Sequence, residues 1–339
     1  MSIHPTEFNT HSTGDVLFEK KYLSGTFPSL DSILLQFLKD ANAAVSNKEI
    51  STFTTPQICV VCVAGPCTKE IDAKNNTPYT TSNVTALGWK LDSRVLAKAL
   101  SIPAENVTIM NDFEGVGYGV LGLPPAQLVT LNKGTVVPQA PIAVLGPGTG
   151  LGAAYLVYHN GNYHVCASEG GHVAYTPSTP QDFALLNYIR AELGSPTAHV
   201  SAERVASGTG LRSVYRFVRH TADPANPLYK PENVGVYRNP PTLEQCAVLG
   251  HQFPARAICD MAQAGDKYCV ETLHIFATAL GRTAGNLLVS TLPLGGFFIA
   301  GGMGAKVSVI QENLTNQYFP TSFLSFCFAV VTLCRWASC

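Results

Sequence analysis

Charge is scarce in this sequence: Asp, Glu, Lys and Arg make up 13% of its 339 residues, and the formal net charge is −1. A chain so close to neutral builds no basic field for nucleic acid or for an anionic membrane, which excludes both as partners. Membrane-length apolar runs are lacking too. The uncharged stretch from Thr321 to Cys334, in "TSFLSFCFAVVTLCRWASC", is too short as a helix for a hydrocarbon core of roughly 30 Å. A buried terminal helix or an ill-fitting end is expected there. No apolar signal segment opens the chain, and the scatter of the ten cysteines lacks paired CxxC spacing for zinc. Cys59 and Cys62 lie in a Val-rich run where reduced Cys serves as a small apolar residue. A reducing, cytoplasmic compartment follows, in which the sequons at Asn83 and Asn106 are incidental. Repeats and low-complexity tracts are absent. So is the Walker pattern GxxxxGK[ST], which removes the P-loop NTPases.

What is present suffices for two domains, with 46% hydrophobic residues to build their cores. "GDVLFEKKYLSG" (14–25) alternates as a strand does, and "SLDSILLQFLKDANAAV" has helical spacing behind a Ser29 N-cap. "QICVVCVAGPC" (57–67) reads as a buried central strand ended by Gly65-Pro66. "DSRVLAKALSI" is a helix, and "NVTIMNDFEGVGYG" a short strand running into a turn. Strand–helix alternation predicts an α/β fold with a partly parallel sheet. Further on, Asn160-Gly161 between two alternating runs predicts a hairpin. Residues 267–292 form a long helix with Tyr268, Leu273, Phe276, Leu280, Ala284, Leu287 and Leu288 near one face. "GGFFIAGGMGAK" (295–306) reads as strand, glycine turn and helix start, and the Pro-rich 219–242 as an exposed insertion.

The most informative stretch is "PIAVLGPGTGLGAAYLVYHNGNYHVCASEGGH" (141–172), with Gly146, Gly148, Gly150 and Gly152 at every second position. Gly148-x-Gly150-x-x-Ala153 satisfies the dinucleotide pattern GxGxx[GA], and Glu169 lies where a ribose-binding acid belongs. That motif needs a helix directly after its glycines. Here a hairpin follows, so a dehydrogenase is disfavoured. Strand, glycine loop and strand remain, with backbone N–H groups forming an anion-binding nest and Thr149 adding a hydroxyl.

Two sets of polar residues could act beside that nest. Asn111-Asp112 ends a predicted strand, and phosphoryl transfer to an alcohol needs a carboxylate to accept the hydroxyl proton. Asp112 fits that role and Asn111 could bind the same substrate, although Asn-Asp after a strand also suits a turn or cap. In "SEGGHVAY", Glu169 and His172 flank a glycine pair and suit recognition of vicinal hydroxyls. The bland alternative is a turn cap and a core histidine. "HVSAERVASGTGL" (199–211) adds Glu203. A metal site at Cys166 and His172 lacks a second ligand pair, so no protein-held metal is expected.

"IMNDFEGVGYG", "LGPGTGLGAAYLVY", "EGGHVAYTP", "HVSAERVASGTGL" and "GGFFIAGGMGAK" occur in the order and spacing found in bacterial-type glucokinases of the hexokinase/actin-like superfamily, which this chain resembles over roughly residues 14 to 306. The resemblance implies a two-domain actin-like ATPase (ribonuclease H-like) architecture, a sugar cleft between a small and a large domain, and a homodimer. It implies phosphorylation of the glucose 6-hydroxyl by ATP with Mg²⁺, the entry step of glycolysis. On that pattern Asp112 is the catalytic base, and Asn111, Glu169, His172 and Glu203 bind the sugar. Gly146, Gly148, Thr149 and Gly150 resemble the second phosphate loop, and Gly301 and Gly302 the adenosine-side turn.

The family's opening strand and its Gly-Asp-x-Gly-Gly-Thr-Asn loop have no counterpart here, since Val-Leu-Phe follows Gly14-Asp15. The expected division is a small domain over 1–111, a large domain over 112–318 and a divergent apolar tail over 319–339. A hexose-binding protein without kinase activity is the alternative reading.

Overall fold

A computed structural model describes residues 17–84, 87–132, 134–221 and 254–303, together with the backbone of 331–334. By its internal contacts the chain divides into two compact units, Met1–Gly122 and Leu123–Cys339. The division falls after Gly122, where the sequence reading sets it after Asn111.

In the first unit, helix α1 (Leu30–Ser46) starts where Ser29 Oγ accepts the Ser32 N–H, as its N-cap position predicts. Strands β1 (Cys59–Val63) and β5 (Val107–Asn111) pair in parallel, from Cys59 opposite Val107 to Val63 opposite Asn111. Between them in sequence, β2 (Cys67–Ile71), β3 (Pro78–Val84) and β4 (Trp89–Asp92) form an antiparallel sheet of their own. Asp92 accepts the Arg94 N–H and so caps α2 (Ser93–Leu100). Leu91, Leu96, Val107 and Ile109 make the core of this unit, with Leu30, Leu34 and Val61 packed on it.

Three expectations fail in this unit. Residues 17–23 of the proposed 14–25 strand are irregular, and Ser24–Thr26 is a 3-10 turn. An isolated alternating segment has no ladder to satisfy its backbone groups, and none of the described strands pairs with it; residues 14–16 lie outside the described part. β1 is half-exposed rather than fully buried, with Val60 55% exposed, because only β5 flanks it among the described residues. After Asn111 the chain enters helix α3 (Asp112–Leu121) instead of a turn.

The second unit carries a six-stranded sheet in the order β6 (Leu128–Asn132), β11 (Val331–Cys334), β10 (Gly296–Ile299), β7 (Ile142–Pro147), β8 (Leu151–His159), β9 (Asn162–Ser168). β7, β10 and β11 run parallel, while β6, β8 and β9 are antiparallel to their neighbours. Every residue of β7 is buried, as its unbroken apolar run requires. The β8–β9 hairpin turns at Asn160 (φ 49°) and Gly161 (φ 86°), both left-handed, as a two-residue Asn-Gly turn demands. Since β8 is a strand, the helix required by a dinucleotide fold is not there.

Among the described residues, helices α4 (Pro180–Glu192), α5 (Gly210–Thr221), α6 (Pro254–Gln263) and α7 (Lys267–Thr291) share a core with this sheet. α7 begins where Asp266 Oδ1 accepts from the Tyr268 and Cys269 N–H groups. It buries Leu273, Phe276, Leu280, Ala284 and Leu288 of the face its spacing predicts, while Tyr268 and Leu287 of that face are only partly buried against the same core. Of the expected insertion, 219–221 belong to α5 and the rest lies outside the described residues. The tail departs from expectation, because Val331–Cys334 is a strand between β6 and β10 and not part of a helix. No helix among the described residues is long and apolar enough to cross a membrane.

Candidate active site

Asn111 and Asp112 stand at the β5–α3 junction of the first unit. Asn111 Oδ1 accepts from the Phe113 and Glu114 N–H groups at 2.9 and 3.4 Å, and its Nδ2 donates to the Gly65 carbonyl at 3.3 Å. The cap reading of this residue therefore holds, and the cap favours the start of a helix that its glycines at 115, 117 and 119 weaken. Asp112 follows as the first helical residue, with an exposed side chain. Its Oδ1 accepts the Phe113 N–H at 3.0 Å. Its Oδ2 meets no donor among the described residues, which leaves one oxygen open to a substrate proton. Gly115 is fixed by packing, since a Cβ there would overlap Cys62 Sγ.

In the second unit, the glycine turn joins β7 to β8 and is stapled to residues 203–209. The Gly148 N–H donates to the Gly150 carbonyl at 2.8 Å, closing the turn on itself. The Gly148 carbonyl accepts the Gly208 N–H at 2.8 Å, and the Thr149 carbonyl accepts from both the N–H and Oγ1 of Thr209, at 3.1 and 3.0 Å. Ser207, fully buried, shares a hydrogen bond with Thr209 Oγ1 at 3.0 Å. With the carbonyls thus turned inward, the adjacent N–H groups of Thr149 and Gly150 donate to no acceptor among the described residues. Two neighbouring free amides are the donor set of an anion nest.

The second glycine turn reaches the same place. Gly301 has φ 92°, and a Cβ on it would stand 2.7 Å from the Pro147 carbonyl oxygen. Parallel pairing of β10 with β7, continued by the Ala300 N–H donating to the Leu145 carbonyl, brings Gly301 beside Gly146 at the carboxyl ends of both strands, with Gly302 next in the chain. That is where ligands bind in open α/β sheets.

Leu151, the first residue of β8, organises the polar groups. Its N–H donates to Glu203 Oε2 at 2.9 Å. Its carbonyl lies so close to Gly171 that a Cβ there would overlap the oxygen, and Gly170 would meet Ala153 at 2.9 Å. The paired glycines thus let the 3-10 turn Gly170–His172 lie flat on β8. Glu169 and His172 flank that turn and face each other at 3.6 Å. The Glu169 side chain is 89% exposed and caps nothing, and that of His172 is 58% exposed, so neither is a turn cap or a core histidine. The structure therefore gathers Glu169, His172, Glu203 and both glycine turns within the second unit, and holds Asn111 with Asp112 in the first.

Ser207, Gly208, Thr209 and Leu151 are site residues that the sequence reading passes over. The Ser-Gly-Thr-Gly run at 207–210 is the signal for the first three, a second small-residue cluster suited to close backbone approach; Leu151 carries none. No group of three potential metal-binding side chains occurs among the described residues.

The sequence profile of the glucokinase family matches residues 6–326. A glucokinase of Nostoc sp. (strain PCC 7120) is 37% identical over 300 residues, which cover 88% of this chain and 79% of that protein. The crystal structure of a glucokinase from an Antarctic psychrotroph aligns over 94% of this chain and 85% of its own, with a TM-score of 0.63 and 28% identity. A ROK family glucokinase from Streptomyces griseus, solved with glucose and AMPPNP, aligns over 91% of this chain and 85% of its own, with a TM-score of 0.53; at 16% identity the likeness is one of fold. The fold is the actin-like ATPase fold. By sequence profile, relatives and fold together, this chain belongs to the glucokinase family.

Proposed function

We propose that this chain transfers the γ-phosphoryl group of ATP to the 6-hydroxyl of glucose, with Asp112 as the general base. The observation that supports this most is the convergence on Leu151, whose N–H holds Glu203 beside the free Thr149 and Gly150 amides and whose carbonyl lies against the turn that carries the Glu169–His172 pair. Glu169, His172 and Glu203 would hold the sugar by its hydroxyls. As the O6–P bond forms and ADP departs, the Asp112 carboxylate would take the proton from O6. The Thr149 and Gly150 N–H groups would donate to the phosphoryl oxygens, where charge grows in the transition state. Mg²⁺ would arrive with the nucleotide, held chiefly by phosphate oxygens and water, and would neutralise their charge.

Asp112→Ala should lower kcat by about two to four decades, the usual worth of a general base, while glucose binding stays largely intact. Near wild-type turnover would remove Asp112 from this role. Sugar binding without product in the native protein would mark a hexose-binding protein instead. We further place the protein in the cytoplasm, which suits the reduced thiols of Cys59, Cys62, Cys67 and Cys166, and as a homodimer, which light scattering would test.

A further inference from the structure

Glu203 does more in this structure than a sugar ligand needs to do. Its Oε2 holds the Leu151 N–H at 2.9 Å, and its carboxylate fills the space where a Cβ on Gly150 would be. A side chain at position 150 would have to displace that carboxylate. Oε1 meets no donor among the described residues. One carboxylate thus has one oxygen committed to the phosphate turn and one open, and the residues just after it, Gly208 and Thr209, clamp the same turn through Gly148 and Thr149.

We infer that Glu203 is a bridge that couples sugar occupancy to the phosphate turn: Oε1 takes a sugar hydroxyl while Oε2 fixes the Leu151 amide next to the free amides of Thr149 and Gly150. This rests on the kinase reading above and makes Glu203 a positioning residue as well as a sugar ligand. A sugar that immobilises the carboxylate also immobilises the turn, so the nucleotide then meets an ordered nest and loses less entropy on binding. By linkage, nucleotide must tighten sugar binding by the same factor.

Calorimetry with Mg²⁺ and a non-hydrolysable ATP analogue, without glucose and at saturating glucose, reads this coupling directly. In the native protein glucose should tighten the analogue by roughly 5- to 150-fold, the usual span of such coupling. Glu203→Ala has no carboxylate, and Glu203→Asp is one methylene too short to span both groups. In each the factor should fall to about 1, even with glucose saturating. A residue that only binds sugar would raise the glucose dissociation constant and leave the factor untouched at saturation, which would overturn the inference. Hydrogen exchange adds a ligand-free readout: Leu151 should lose protection in both variants while the amides of β7 keep theirs. Retained Leu151 protection would also count against the bridge. If the native protein turns glucose over with a factor of 1, the bridge is wrong and the kinase stands. If it neither binds glucose nor forms product, both fall.

Discussion

Gly171 lies on Leu151 so closely that no side chain fits between its Cα and the Leu151 carbonyl oxygen. Gly171→Ala must push the 170–172 turn off β8 and carry Glu169 and His172 with it. Overpacking at a buried site costs roughly 1–3 kcal/mol. The variant should melt lower and bind glucose more weakly, and calorimetry on the folded fraction should show the second effect. Unchanged glucose affinity would mean that the turn does not place the sugar ligands.

Glu169→Ala should behave differently. Its side chain is 89% exposed and caps nothing, so melting temperature should stay put. Loss of a charged hydrogen-bonding partner for a sugar hydroxyl costs on the order of 1–3 kcal/mol, which weakens glucose binding about ten- to a hundredfold. Both quantities measured on one sample decide the matter. A lower melting temperature with native affinity would return Glu169 to a structural role.

Thr209→Val keeps the shape of the side chain and removes the hydroxyl that donates to the Thr149 carbonyl. One such bond is worth about 1 kcal/mol, so the KM for ATP should rise about fivefold and the KM for glucose little. Initial rates with each substrate varied in turn would show the split. Equal shifts in both would argue against a specific part in the phosphate turn.

Asp182 gives a prediction far from the chemistry. Its Oδ2 accepts from the Thr179 N–H and Oγ1, the Ser178 N–H and Arg282 Nη1, and its Oδ1 from Tyr175, tying α4 to α7. Burial pushes its carboxyl pKa up, but the Ser178, Thr179, Arg282 and Tyr175 donors together outweigh that and hold it below the ordinary value. A depressed folded-state value means that its stabilisation is complete above the unfolded value of about 4 and is lost as pH falls through the folded one. Asp182→Asn leaves Arg282, 22% exposed, without its partner, so it should cost about 3 kcal/mol near neutral pH. That difference should shrink in acid. A pH-independent difference in denaturation midpoint would refute the charge-based account.

What the sequence reveals and what it hides follow from the range of the interactions. The β7–turn–β8–β9 unit is legible because its determinants are local: an apolar run, alternate glycines and an Asn-Gly turn. α7 is legible because 25 residues of one periodicity leave no other solution. α3 is hidden by its glycines, and only the Asn111 cap and the Cys62 contact explain it. The irregular 17–23 alternates like a strand, but pairing is a property of two segments and not of one. The same holds at the site. Glu169, His172 and Glu203 can be picked out by type, whereas the bond from Leu151 to Glu203 joins residues 52 apart and leaves no trace in either segment.

The order of strands in the second unit also bears on how the chain is made. Among the described strands β6 touches the rest of its sheet through β11, far along the chain, and β7 finds its parallel partner β10 only after some 150 intervening residues. Until Val331–Cys334 has been made and has docked, β6 has no ladder among the described strands and β10 has one open edge. Pairings of such long range form slowly, and exposed strand edges invite intermolecular pairing meanwhile. Folding of this unit must therefore stay incomplete until β11 docks. Its yield in a cell should depend on chaperone capacity more than its equilibrium stability would suggest.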